Sequence, residues 1–83
     1  MYDPVKVPAH TLAVLREFRD EKVLNDDPFF IAVLTNDLRG AALYADEDNF
    51  EALAHIVGWC YNELPHGSWG SEERVRAWLT SRS

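Results

Sequence analysis

The stretch ADEDNFEALAHIVGWCYNEL, residues 45–64, decides the fold class of this 83-residue chain. Apolar residues recur through it at spacings of 3, 4, 3 and 4, at Phe50, Leu53, Val57, Cys60 and Leu64. Because this spacing places them on one side of a helix, the stretch predicts an amphipathic helix that buries this face.

Both ends of this helix are marked in the sequence. Asp46 is the candidate N-terminal cap, and Pro65 disfavours helical backbone at the residue before it. We therefore predict one helix from about Glu47 to Leu64. Cys60 falls on the predicted buried face and is the only cysteine of the chain, so we expect a buried thiol with no internal disulfide.

Upstream, the chain begins with an arm and a helix. Residues 1–8 contain two prolines and little periodicity, and we interpret them as an extended N-terminal arm. Residues 9–22 are predicted to form a helix, with charged residues on the side away from the core. The predicted core face of this helix consists of Leu12, Val14, Leu15 and Phe18.

A second helix start lies at Asp26, Asp27 and Pro28, where an acidic cap candidate precedes proline at the first helical position. The apolar positions that follow are Phe29, Phe30, Val33, Leu34 and Leu38. The run FFIAVL alone is compatible with a buried strand, but its acidic and proline start favours a helix.

The sequence leaves open whether residues 28–45 form one helix or two. Asn36 and Asp37 could end one helix and cap the next, and Gly40 weakens a continuous helix by about 1 kcal/mol relative to alanine. We favour a break near Asn36.

The end of the chain predicts a loop and a last helix. HGSWGS, residues 66–71, is rich in glycine and serine, and Ser71 is the candidate cap of a helix from Glu72 to about Thr80. Val75, Trp78 and Leu79 are expected to close over the core. Residues 9–83 are thus predicted to form one all-α domain, a small bundle of four or five helices with orthogonal or irregular packing.

Composition restricts the classes of partner. A formal net charge of −6 repels phosphate backbones and anionic lipid surfaces, so we expect neither direct nucleic-acid binding nor membrane binding. No apolar run approaches the ~20 residues of a membrane span, and the N-terminus lacks the layout of a secretory signal. We therefore expect a cytoplasmic protein.

No motif in the sequence predicts catalysis, a metal or a cofactor. His10, His55 and His66 show no recognised ligand spacing. The run from Asp46 to Glu51 lacks the glycine of a calcium loop, and there is no phosphate-binding loop or nucleophile elbow. We predict that the protein is not an enzyme and needs no cofactor.

The acidic residues have two interpretations. Seven of the fourteen lie at predicted helix starts, where each negative charge is stabilised by about 0.3 to 1 kcal/mol through the helix dipole. Folding therefore explains half of them, and a solvated acidic surface that meets a basic partner is favoured over a dedicated nucleic-acid mimic.

Three tryptophans lie within twenty residues, and tryptophan is common both in small cores and at the centres of interfaces. Trp78 is predicted to be in the core. Trp59 lies beside the predicted buried face, where it either covers a second helix or is half exposed. Trp69 either fixes the last helix or anchors a partner. An exposed group of Tyr44, Trp59 and Tyr61 would indicate a partner or self-association.

Three segments within about residues 28–80 are distinctive: FIAVLTNDLRGAALYADEDN, YNELP and WGSEERVRAWL. They resemble a group of small accessory proteins encoded in phage and prophage genomes. The resemblance carries no catalytic residues. It implies stoichiometric binding to a host or phage protein, including inhibition of host defence such as CRISPR interference complexes.

Our preferred hypothesis is a non-catalytic accessory protein that binds another protein with a basic surface. The predicted partner-binding residues are Asp46, Glu47, Asp48, Glu51, Trp59 and Trp69. Three alternatives stay open: a self-assembling structural or scaffolding module, an acidic nucleic-acid mimic, and a small-molecule or nucleotide binder formed between subunits.

Overall fold

The computed structural model describes residues 2–81 and confirms the all-α prediction. Within this part of the chain there are six α-helices and no strand. A 3-10 turn at Pro4–Lys6 precedes the helices, which are α1 (Ala9–Glu21), α2 (Pro28–Leu34), α3 (Leu38–Tyr44), α4 (Glu47–Glu51), α5 (Leu53–Glu63) and α6 (Glu72–Thr80).

Helix α1 has the predicted extent and most of the predicted core face. It ends where Lys22 turns into the left-handed region at φ 55°. Val14, Leu15 and Phe18 are buried, whereas Leu12 is half buried. Thr11 is buried as well, because its hydroxyl donates a hydrogen bond to the Asn49 side chain on α4.

The predicted break near Asn36 is confirmed, and it separates α2 from α3. Asn36 has φ 64°, a backbone conformation that asparagine tolerates better than most residues. Asp27 caps α2 by accepting from the Phe29 N–H at 2.9 Å, and Asp37 caps α3 by accepting from the Gly40 N–H at 3.0 Å. Leu38 is exposed rather than part of the core, because it stands at the first turn of α3, beyond the break.

The helix predicted from Glu47 to Leu64 is divided in two at Ala52, where φ is −94° and ψ is 5°. Asp46 caps the first part as predicted, accepting from the Asn49 N–H at 2.8 Å. The second part ends at Glu63, and Leu64 is extended ahead of Pro65. This division gives six helices where four or five were predicted.

The buried face of α4 and α5 also differs from the predicted one. Phe50 and Val57 point towards solvent, and the buried side chains are mostly displaced by one position along the chain. Only Cys60 and Leu64 of the predicted face are fully buried. The core side of the two helices carries Asn49, Ala52, Ile56, Trp59 and Cys60.

Helix α6 closes the fold as predicted. Ser71 caps it by accepting from the Arg74 N–H at 3.1 Å, and Val75 is buried. Trp78, which the sequence predicts to be in the core, is only half buried and packs against the core, and its Nε1–H donates to the Phe18 carbonyl at 2.9 Å. Lys22 lies over the same ring, with Nζ 4.7 Å from the ring centroid. These contacts join α6 to the end of α1.

Residues 2–8 lie against α5. Val7 is in the core, and the Asp3 N–H donates to Nδ1 of His55 at 2.9 Å. The Tyr2 ring rests on Gly58, where an added Cβ would stand 2.2 Å from the Tyr2 Cβ. The absence of a side chain at Gly58 therefore makes room for this segment.

Gly58→Ala should detach the N-terminal segment without unfolding α5. The new methyl group would overlap Tyr2, whereas alanine favours the helix itself by about 1 kcal/mol. We expect faster hydrogen exchange at the amides of Asp3, Lys6 and Val7, with the helical circular dichroism retained. Gly67→Ala is the matched control, since no heavy atom lies within 4 Å of its added Cβ. Unchanged exchange at these amides in Gly58→Ala would refute the packing described.

Candidate protein-interaction surface

Four exposed carboxylates are concentrated at α4. We define the acidic segment as residues 43–51, which contains Asp46, Glu47, Asp48 and Glu51. None of these four forms an ion pair within 4.0 Å among the described residues. The start of α4 favours negative charge at three of these positions. One oxygen of Asp46 caps the helix, and Glu47 and Asp48 lie in its first turn. Their remaining oxygens are free to bind cationic groups.

Large apolar side chains are exposed in the same segment. Leu43 and Tyr44 at the end of α3 are exposed, and Phe50 between Asp48 and Glu51 is 58% exposed. Because these residues lie within nine positions of one another, the segment combines negative charge with exposed aromatic surface. Exposed large apolar and aromatic side chains are candidates for contact with a partner.

The apolar surface continues along α5. We define the apolar ridge as Phe50, Leu53, Val57 and Tyr61, which follow one another at spacings of 3, 4 and 4. Val57 is 42% exposed and Tyr61 is 69% exposed, while Leu53 is half buried. Since the ridge adjoins the side of α5 that is in the core, the apolar surface of this helix extends beyond its buried face.

A groove on each side of the ridge extends this surface. The α3 groove, about 210 Å³, lies between α5 and the α2–α3 pair, and its main apolar walls are Leu38, Ala41, Leu53, Val57 and Trp69. The arm groove, about 700 Å³, lies between α5 and the N-terminal segment. Its walls are Tyr2, Pro4, Ala54, Val57, Gly58, Tyr61, Asn62 and Trp69. Desolvation and the nearby Glu63 carboxylate raise the pKa of Tyr2.

The structure separates the two tryptophans predicted to bind a partner. Trp59 is 3% exposed and forms part of the core, so the half-exposed alternative is not the one observed and Trp59 is not available to a partner as predicted. Trp69 is half buried and lines both grooves. Tyr44 and Tyr61 are exposed, but without Trp59 between them they do not form the aromatic group that was considered.

On α4 and α5, Phe50 and Val57 are surface residues that sequence reasoning assigned to the core. The signal that could have identified them is a second apolar series, displaced by one position, at Ala52, Ile56 and Trp59. A helix with two apolar series either is buried all round or presents one of them to a partner.

The other titratable groups of the described residues do not form a recognisable reactive site. Nδ1 of His55 is occupied by the Asp3 N–H, and Lys6, Asp48 and Glu51 border the same cavity of about 590 Å³. Within residues 2–81, no three histidine, cysteine or acidic side chains are grouped closely enough to hold a metal ion. In the same part of the chain, every helix is too short or too polar to cross a membrane.

Cys60 should be nearly inert in the folded protein. Its side chain is fully buried, and burial raises the pKa of the thiol to about 12. We expect alkylation by iodoacetamide at pH 8 to be slower than for an unfolded cysteine by roughly 1,000-fold or more, because the thiolate is the reactive form. Rapid modification of the native protein would contradict this environment.

The same raised pKa predicts how stability depends on pH. The folded state holds the thiol proton more tightly than the unfolded state, whose thiol pKa is about 8.5. This contribution is fully present below the unfolded pKa and is lost as pH rises from there towards the folded value of about 12. Cys60→Ala should therefore lose less stability than the wild type between neutral and alkaline pH in denaturant titrations.

Comparison of the chain with protein-family models, with curated proteins and with solved structures finds no match. The candidate function therefore depends on the surface described above.

Proposed function

We propose that this protein is a non-catalytic accessory protein of the cytoplasm that acts by stoichiometric binding to another protein. The observation that carries the proposal is the acidic segment, where exposed Leu43, Tyr44 and Phe50 lie among four carboxylates without ion-pair partners. Apolar contact supplies affinity, and the carboxylates select a partner with a basic surface.

The resemblance to phage accessory proteins extends this proposal to the identity of the target. A small acidic protein that binds tightly to one component of a larger machine can block it without any chemistry. Inhibition of a host defence system, such as a CRISPR complex, is the form of this function that the resemblance implies.

The proposal is tested by comparing two charge-reversed variants with the wild type. The first variant changes Glu47, Asp48 and Glu51 to lysine and retains the Asp46 cap. The matched control changes Glu17, Glu21 and Glu73 to lysine. These three are exposed, lie outside the acidic segment and form no ion pair among the described residues. Both variants have the same net charge, so a difference between them reports position rather than total charge.

Tagged wild-type protein and both variants are used to recover proteins from a bacterial host lysate, and quantitative mass spectrometry compares the recovered proteins. We expect one near-stoichiometric partner with the wild type and the control. It should be lost with the first variant and in about 1 M salt, where the Debye length is about 3 Å. A partner recovered equally by both variants, or no specific partner, would contradict the proposal.

Self-assembly is the second candidate, because the exposed apolar ridge could pack against a second copy. The net charge of −6 on each copy opposes this association. Light scattering at low and high protein concentration distinguishes the two: the binding proposal predicts a monomer, whereas self-assembly predicts a dimer or larger species.

A further inference from the structure

We infer that the partner contributes an amphipathic helix with basic residues, which lies along the apolar ridge and places one large apolar side chain in the α3 groove. The inference rests on the proposed function and adds to it the shape and chemistry of the bound element.

The ridge has the length of a helical contact. Leu53, Val57 and Tyr61 lie on α5 and span eight positions, about 12 Å or two helical turns, and Phe50 precedes them on α4. Residues 2–81 contain no strand, so no sheet edge is available for an extended peptide to join. Recognition of a helix through apolar side chains placed in a groove fits a surface whose exposed residues follow one another at helical spacing.

The two grooves make this apolar surface concave on both sides of Val57. Val57 borders both, so it forms the crest between them. The α3 groove is nearly all apolar, with Asn36 and Asp37 as its polar residues. A single buried apolar anchor in such a groove is the usual centre of a helix-binding interface, and Trp69 at the groove wall supplies a large contact area.

Charge complementarity indicates a basic partner. Among the described residues, no lysine or arginine lines either groove, and Asp37 is the charged group in the α3 groove. The end of the acidic segment overlaps the start of the ridge, because Phe50 belongs to both. Asp37 in the α3 groove and the acidic segment around Phe50 make the surroundings of the ridge negative, so lysine or arginine residues of a bound helix would be attracted rather than repelled. A second copy of this chain would instead bring a net charge of −6.

The test uses a displayed library of random peptides of about 16 residues, long enough for four helical turns. Peptides are selected on the wild type and then measured against Val57→Asp and Val23→Asp. These two valines are matched, at 42% and 46% exposed, but Val23 lies between α1 and α2, outside both grooves. Tyr61→Glu, at a 69% exposed position, is a second ridge variant with little risk to folding.

We expect selected peptides to have a net positive charge and apolar residues at helical spacing. They should lose about tenfold or more affinity for Val57→Asp and Tyr61→Glu, with no change for Val23→Asp. Peptides without this pattern, equal binding to all variants, no enrichment, or a wild-type dimer that Val57→Asp dissolves would each overturn the inference. A lysate partner that depends on the acidic segment but not on Val57 would overturn the inference and leave the proposed function intact.

Discussion

Trp59→Ala should destabilise the protein by about 3 to 5 kcal/mol, the usual cost of removing a buried aromatic side chain. Trp59 is 3% exposed, and its ring packs in the core between α1 and α5. The Arg19 guanidinium covers it, 5.5 Å from a ring centroid, and also pairs with Asp20 at 2.8 Å. For a domain of this length, whose total stability is on the order of 4 to 12 kcal/mol, the loss removes a large share.

Trp69→Ala is the matched control for this prediction. Its ring is half buried and contacts solvent at the grooves, so we expect a smaller loss of about 1 to 2 kcal/mol. The measurement is urea unfolding followed by circular dichroism, which does not depend on the fluorescence of the removed residue. Equal losses for the two variants, or a larger loss for Trp69→Ala, would contradict the assignment of Trp59 to the core and Trp69 to the surface.

Asn49→Leu should cost about 1 to 3 kcal/mol, although leucine is similar in size and more apolar. Asn49 is buried on α4, and its side-chain oxygen accepts a hydrogen bond from the buried Thr11 hydroxyl on α1. Replacing the acceptor leaves this hydroxyl without a partner in the core. The loss in free energy of unfolding therefore comes from a buried Thr11 hydroxyl without a hydrogen-bond acceptor, and not from a loss of side-chain volume.

A double-mutant cycle isolates this effect. Thr11→Val removes the hydroxyl while keeping the shape of the side chain, so the double variant Thr11→Val/Asn49→Leu should recover most of the stability lost by Asn49→Leu. The measurement is the free energy of unfolding of all four proteins in urea. Strictly additive losses would show that the two side chains do not depend on each other.

Most helix boundaries, except the division at Ala52, could be predicted because their causes are local. The caps Asp27, Asp46 and Ser71 each accept from an N–H two or three residues away, so sequence neighbours determine them. The break at Asn36 has the same character, because asparagine tolerates the left-handed conformation and Asp37 caps the next helix. The all-α class follows from such signals together with apolar spacing.

The faces of α4 and α5 could not be predicted, because they depend on contacts distant in sequence. The residues from Asn49 to Cys60 contain two apolar series, and the partner of each is set by the path of the rest of the chain. The buried Asn49 side chain accepts a hydrogen bond from Thr11, which is 38 positions away in the sequence. The acidic part of the candidate site was predictable from its helix start, whereas the apolar ridge became visible only when Ile56 and Trp59 were placed in the core.

Hydrogen exchange of this protein with and without its captured partner tests the central claim most directly. Binding through the acidic segment and the apolar ridge predicts slower exchange across residues 43–61, with little change in the exposed side of α1 and in α6. Protection confined to α1 or α6, with residues 43–61 unchanged, would contradict the assignment of the binding surface.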